Sequence, residues 1–467
     1  MAELVRCELC RLAASYGRLA LAQLFVPRGA HDHLAALVDL LPTIAALVRQ
    51  PPRVRVSGRL MDYLVPRSHC PLVQAADGRL YGAPRGSNWV LDYDPTTGSC
   101  GSIALPVAHW DRSDTAKHVG ALAAGGDGRL YAAPYEGEGV LVVDPAARTA
   151  DIVPIRHETL CTYTAPMAAA SDGRLYCPPD SGCCVLCVEP TTRTVSFVDL
   201  PVNVECADPG DLLVAEGMYT SELVEHRGVL FGAPTNAPFV LALDLERQTC
   251  VPLEPADGWG APQGDHCKWA GPLCPVRSDC GAVTLVCLPH GDGLRGVLVV
   301  DCDRAVEQIR AGASVCTGCV HEELRCDRVD EPWLPSLCVA TEAIPVGGSF
   351  VSYASGTRCI GASSVLGRPG VVFLGGRWRR PRYLELPLDE AWSAPIVCGT
   401  YACVTGVHHG RAGLARVHLH ERTAVFCPSA ECRRGPHATL DEATGDIWLL
   451  DLPTCTRVFK SFLGCCH

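Results

Sequence analysis

Four side chains with an affinity for soft or borderline metals fall within about eleven residues, at Cys316, Cys319, His321 and Cys326. The C-x-x-C half has zinc-knuckle spacing, which lets two thiolates share one tetrahedral ion. The second half is unusually close, and no matching C-x-x-C pair lies nearby. Two readings therefore stand: a zinc site built by these four residues, or a chain that needs no cofactor. Cys427, Cys432 and His437 make a sparser set, and Cys7 and Cys10 would meet one turn apart on a helix. Without a second pair, neither spacing specifies metal or redox chemistry.

The other thiols have a simpler explanation. The chain holds 28 cysteines in 467 residues, and Glu3, Arg6 and Glu8 stand where the apolar run of an export signal would be. Cys177, Cys187, Cys287 and Cys403 fall at apolar strand positions. A buried thiol packs like a small apolar side chain, so most of the cysteines are expected to be reduced core residues.

Catalytic groupings are sparse. His408 and His409 sit in a glycine-flanked turn and read as a solvated loop rather than a general base. The sequence contains no G-x-S-x-G elbow, H-E-x-x-H pair or G-x-x-x-x-G-K-[ST] loop. Asp94, Asp144, Glu189 and Asp244 recur just beyond an apolar run, each ahead of a turn. A carboxylate placed there can accept the N–H groups of the following turn, which makes these acids turn-formers before catalysts.

The elements that must position these residues are repeats. A-D-G-R-L-Y-G-A-P at Ala76–Pro84 returns as G-D-G-R-L-Y-A-A-P at Gly126–Pro134 and as S-D-G-R-L-Y-C-P-P at Ser171–Pro179, with a looser copy at His226–Pro234. Gly78, Gly128, Gly173 and Gly228 each precede a proline by about six residues, within a period of roughly 45 to 55. In the second copy the Asp127-Gly128 pair marks a tight hairpin, and Leu130 and Tyr131 face opposite ways on the next strand. Val140 to Val143 forms a third strand, and Thr149 to Ile155 a fourth. Four short antiparallel strands per repeat of this length predict an all-β propeller. Counting phases into the less regular second half allows six to eight blades, and seven is the expectation.

The phrase resembles kelch-like propeller repeats of predicted protist and giant-virus proteins, written approximately K-W-x-G-x-L-x-x-x-G-x-I-Y-x-x-P-x-x-A-x-x-V-L-x-I-D-P-x-T. The resemblance covers about half the chain and is strongest from Leu72 to Thr249. Lys117, Gly120 and Leu122 fit its opening, as do Lys268, Trp269, Gly271 and Leu273; Leu245 departs from it where proline should stand. It implies a propeller and no particular reaction. Lys117, His118, Lys268 and Trp269 would then begin innermost strands and are the candidate ligand-binding residues, with contact between blades as their competing role.

Composition bounds the rest. At 48% hydrophobic the chain can bury a large core, and a formal charge of -11 argues against a nucleic-acid groove. The basic run Arg377 to Arg382 reads as a solvated loop. Leu34 to Val48 is too short to span a bilayer and contains Asp39 and Pro42. An intracellular, cytoplasmic protein without membrane contact is expected. Residues 1–50 carry leucines at helical spacing and are expected to form a separate helical segment. Such a segment ahead of a propeller resembles the F-box of ubiquitin-ligase substrate receptors, although the Leu-Pro opening and later Trp of those boxes are out of place. Residues 51–467 would be the propeller, closed by pairing about 51–66 with 437–460. The leading expectation for function is a non-catalytic scaffold that binds another protein or a ligand through its loops and central channel. The alternatives are a propeller-type hydrolase or lyase and a ubiquitin-ligase adaptor.

Overall fold

The computed structural model describes residues 54–57, 72–106, 118–155, 161–201, 218–255, 273–322, 350–428, 436–440 and 447–451, apart from short segments within them. Residues 1–50, for which helices are expected, lie outside the described residues, as do Cys7 and Cys10.

Each repeat forms a meander of four antiparallel strands. In the second, Ala123–Ala124, Leu130–Ala132, Gly139–Asp144 and Thr149–Pro154 pair in sequence order. The first (Val73 to Ala104) and third (Ala168 to Asp199) are built alike. Strand alternation explains why such sheets stack. Leu130 joins a core with Tyr81, Val90 and Ile103 of the preceding repeat, whereas Tyr131 joins one with Tyr163, Leu175 and Leu186 of the following repeat. Tyr176 and Leu230 continue the pattern into the fourth repeat. Each of these repeats is thus apolar on both faces, and the cores lie between blades.

The architecture is a β-propeller, and the described residues form six blades of four antiparallel strands. Blade 4 spans Val224 to Pro255, blade 5 Cys274 to Glu322 and blade 6 Arg382–Glu385 together with Phe350–Tyr353, Arg358–Val365 and Arg368–Gly375. The seven four-stranded blades expected from the sequence are not found among the described residues. Beyond blade 6 the chain forms a five-stranded sheet within Glu390 to Pro428, and a three-stranded sheet joins Val54–Ser57 to Pro436–Leu440 and Ile447–Asp451. A count of phases assumes an equal strand number per sheet, and that assumption fails where the repeat phrase fades.

Blade 5 also departs from the pattern. Between its third and fourth strands runs α1 (Cys302–Arg310), capped by the Asp301 carboxylate, which accepts the Arg304 N–H. Cys302, Ala305, Val306 and Ile309 recur at helical spacing and are buried against the blade 4 and 5 cores. No other helix occurs among the described residues, and none is long and apolar enough to cross a membrane. The outer strand of blade 5, Cys316–Glu322, pairs in parallel with the outer strand of blade 4, Thr249–Pro255. Two edges that would otherwise present unpaired N–H and C=O groups are closed against each other.

The meanders define two rims. Hairpins between first and second strands, and between third and fourth, lie on a turn rim. Loops between second and third strands, and the connections between blades, lie on a loop rim.

Candidate functional site

On the turn rim the charged residues of the repeat satisfy one another. Gly78, Gly128 and Gly173 have φ of +79°, +80° and +87°, the left-handed conformation this hairpin needs. The preceding Asp127 accepts the Arg129 N–H at 3.1 Å and the Tyr131 hydroxyl at 2.8 Å; Asp77 with Tyr81 and Asp172 with Tyr176 do the same. Burial pushes the Asp127 carboxyl up, but the hydrogen bonds from Tyr131 and Arg129 outweigh it and hold the group below the usual range. The arginine of each phrase reaches the acid after the third strand: Arg79 to Asp94, Arg129 to Asp144 at 3.1 Å, Arg174 to Glu189 at 3.5 Å.

Those acids also hold their turns. Asp94 accepts the Thr97 N–H, Asp144 that of Ala147, Glu189 that of Thr191 and Asp244 those of Glu246 and Arg247. The Ala147 N–H, then Arg129, depresses the Asp144 carboxyl, and the Thr191 hydroxyl and N–H depress that of Glu189. Ties also run between blades: Arg148 binds the buried Asp92 of blade 1, and Arg193 lies 3.9 Å from Asp151 of blade 2. A cleft of about 200 Å³ on this rim is lined by Arg129, Asp144, Asp151 and Arg193. Its guanidinium groups already face carboxylates, so it is not an anion site.

The loop rim is different in chemistry. In blades 3 and 4 it is rich in hydroxyls. Thr164 donates to the buried Asp180 at 2.8 Å, Thr162 and Ser181 share a hydrogen bond of 2.8 Å, and so do Thr220 and Thr235. Glu222 begins the descent into the innermost strand of blade 4, at the register occupied by Pro166 in blade 3 and Ala121 in blade 2. It is open to solvent, yet desolvation by the surrounding protein lifts its carboxyl above the ordinary range.

His118 lies on the same rim and is fully buried. Its register is that of Tyr163 and Tyr219, and each of the three directs a ring polar atom at a backbone carbonyl: His118 Nδ1 to Ala133 at 2.9 Å, Tyr163 to Cys184, Tyr219 to Phe239. The N–H groups of Tyr163 and Tyr219 also donate to Pro134 and Pro179 of the preceding blades. The position joins neighbouring blades. Lys117, Lys268 and Trp269 lie outside the described residues.

Cys316 and Cys319 sit three apart on the outer strand of blade 5, on either side of an irregularity in its pairing with blade 4. The Cys316 thiol is buried against α1, 4.0 Å from the Ala305 carbonyl, and burial pushes it up. Cys326 lies outside the described residues, as do Cys432 and most of the basic run from Arg377. Cys177, Cys187, Cys287 and Cys403 are buried thiols. Asp389 accepts the His409 N–H at 2.6 Å and lies 3.8 Å from His408 Nδ1, on an exposed turn.

One grouping had no signal in the sequence. The sulfurs of Cys161, Cys183 and Cys184 lie within 4.8 Å of one another on the loop rim of blade 3. Cys161 precedes the first strand of that blade, Cys183 ends the loop before its third strand and Cys184 opens that strand, so the fold alone unites them.

No protein-family model matches the chain, and no curated protein matches its sequence. Among solved structures it is similar to the dihydro-heme d1 dehydrogenase NirN, with a TM-score of 0.52 at 12% identity over 80% of this chain and 68% of that one. Virginiamycin B lyase from Staphylococcus aureus aligns with a TM-score of 0.41 at 9% identity, over 69% of this chain and 88% of that one. The β-propeller domain of Cps50 (Swd1) from Myceliophteria thermophila aligns with a TM-score of 0.41 at 13% identity, over 79% and 98%. The likeness to NirN is one of fold and carries no activity with it.

Proposed function

We propose that this propeller is a non-catalytic binding scaffold whose loop rim, around blades 3 and 4, receives a polar segment of another protein. Glu222 carries the reading: an exposed carboxylate that the surrounding protein nonetheless desolvates, on a rim that also carries the hydroxyls of Thr162, Thr164, Thr220 and Thr235. A desolvated, accessible acid marks a place where a cationic or N–H donor from outside gains more than it would on an open surface. The carboxylates described on the turn rim, by contrast, already serve arginines and turn N–H groups. Lys117, Lys268 and Trp269, which precede innermost strands in sequence, are further candidate contacts for that segment, and the repeat is of the kelch-like type.

The test is affinity capture with the full chain as bait, comparing wild type with Glu222→Lys on the loop rim and Arg193→Ala on the turn rim. The expected result is a defined set of partners kept by Arg193→Ala and lost by Glu222→Lys and by a Lys117→Ala/Lys268→Ala double variant. Capture that is indifferent to Glu222→Lys and to the paired lysine changes removes the loop rim as the binding surface.

A further inference from the structure

We infer that Cys161, Cys183 and Cys184 form a binding site for a soft, thiophilic cation, copper(I), on the loop rim of blade 3. All three sulfurs lie within 4.8 Å of one another, and Cys161 and Cys184 approach to 3.4 Å. Three atoms so placed share a point within about 2.8 Å of each. That is a few tenths of an ångström beyond a metal–thiolate bond of ~2.3 Å, a gap closed by small side-chain rotations.

The backbone is built to keep this approach. Thr162 and Ser181 form a β-bridge, with the Thr162 N–H donating to Ser181 O at 3.1 Å and the Asp180 N–H to Thr162 O at 2.8 Å. That pins the strand entry carrying Cys161 to the loop carrying the other two thiols. Gly182 has φ of +110°, and a Cβ there would sit 2.4 Å from Cys161 Sγ. Only glycine lets the loop close over the sulfur.

Ligand chemistry selects the ion. Thiolates favour copper(I) and zinc over harder cations. Structural zinc sites close with four protein ligands, whereas three converging thiolates suit the lower coordination of copper(I). Cys184 is buried, Cys161 half-buried and Cys183 exposed, which gives a water-poor site with an entry at Cys183. The Tyr163 hydroxyl, 3.7 Å from Cys184 Sγ, can donate to that sulfur once it is ligated. On binding, each ligating thiol releases its proton to solvent and gives a sulfur lone pair to the ion, whose oxidation state does not change.

The experiment titrates the reduced full-length protein with copper(I) under anaerobic conditions, against a chromophoric copper(I) chelator. Because the chain holds 28 cysteines, the readout is the difference between variants. Wild type and Cys100→Ser are expected to withdraw one tight equivalent from the chelator; Cys183→Ser and Cys161→Ser are expected to lose it. Cys183 is exposed, so its variant should keep the wild-type circular dichroism and melting curve, and it decides the question if Cys161→Ser does not fold. Identical titrations for Cys183→Ser and wild type overturn the site. Tight zinc binding without copper binding overturns the choice of ion. Recovery of a Cys161–Cys184 cross-link from protein alkylated in reducing buffer overturns the ligand set.

Discussion

At the scale of single residues, the D-G-R-L-Y phrase is a hydrogen-bonded unit with a task for each position. Glycine supplies the positive φ, aspartate takes the arginine N–H and the tyrosine hydroxyl, arginine reaches the next acid, and leucine and tyrosine enter opposite cores. The fourth copy tests this division of labour within the chain itself. There Arg227 stands in place of aspartate and Phe231 in place of tyrosine, so the hydroxyl disappears together with its acceptor. Tyr131→Phe should cost about 1 kcal/mol in urea denaturation, the net value of one hydrogen bond. Phe231→Tyr should cost more, about 1–3 kcal/mol, by burying a hydroxyl away from any aspartate of the phrase. Equal losses in the two variants would show that the tyrosine–aspartate bond is not what the repeats preserve. The glycines and the opposed Leu130 and Tyr131 were legible in the sequence because turn chemistry and alternation are local. The link from Tyr131 back to Asp127 was not, since it depends on how the hairpin brings two residues four apart together. Cys161 was hidden for a stronger reason: its partners lie across two strands, the hairpin between them and a loop.

At the scale of elements, strand meanders declared themselves wherever the phrase was intact, and the disagreements begin in blade 5. A helix of nine residues, α1, interrupts that blade. Its stripe of Cys302, Ala305, Val306 and Ile309 is too short to stand out from a strand-rich background. What holds α1 comes largely from outside it. Arg247, in the last turn of blade 4, donates to the carbonyls of Ile309 and Arg310 at 2.6 and 3.0 Å, and Arg310 returns a bond to the Arg227 carbonyl. The guanidinium thus meets the negative end of the helix and two of its unsatisfied acceptors. Arg247→Ala is expected to destabilise the protein by about 1 kcal/mol, tempered by the residue's partial exposure. Arg247→Lys should recover less than half, because an ammonium cannot reproduce the two-pronged geometry. Denaturant midpoints for the three proteins decide it; full rescue by lysine would mean that charge alone, and not the paired donors, secures the helix.

At the scale of the whole molecule, the two ends of the described chain meet in one small sheet. Val54–Ser57 pairs in parallel with Ile447–Asp451, Val54 opposite Ile447 and Ser57 opposite Leu450, while Pro436–Leu440 lies antiparallel on the other side. Pairing between these regions is an inference that alternation in the sequence supports, but the parallel direction and the three-strand width depend on how the chain returns. Without the early strand, Ile447–Asp451 would present an open row of backbone donors and acceptors along I-W-L-L-D, an apolar edge of the kind that recruits other chains. Replacing Val54–Ser57 by Gly-Ser-Gly-Ser should therefore have two effects: a melting temperature lowered by several degrees, and self-association that grows with protein concentration in light scattering. A variant that melts earlier but stays monodisperse would show that the edge is covered by something other than this strand. One unchanged in both respects would show that the sheet joining the chain's two ends contributes nothing to stability.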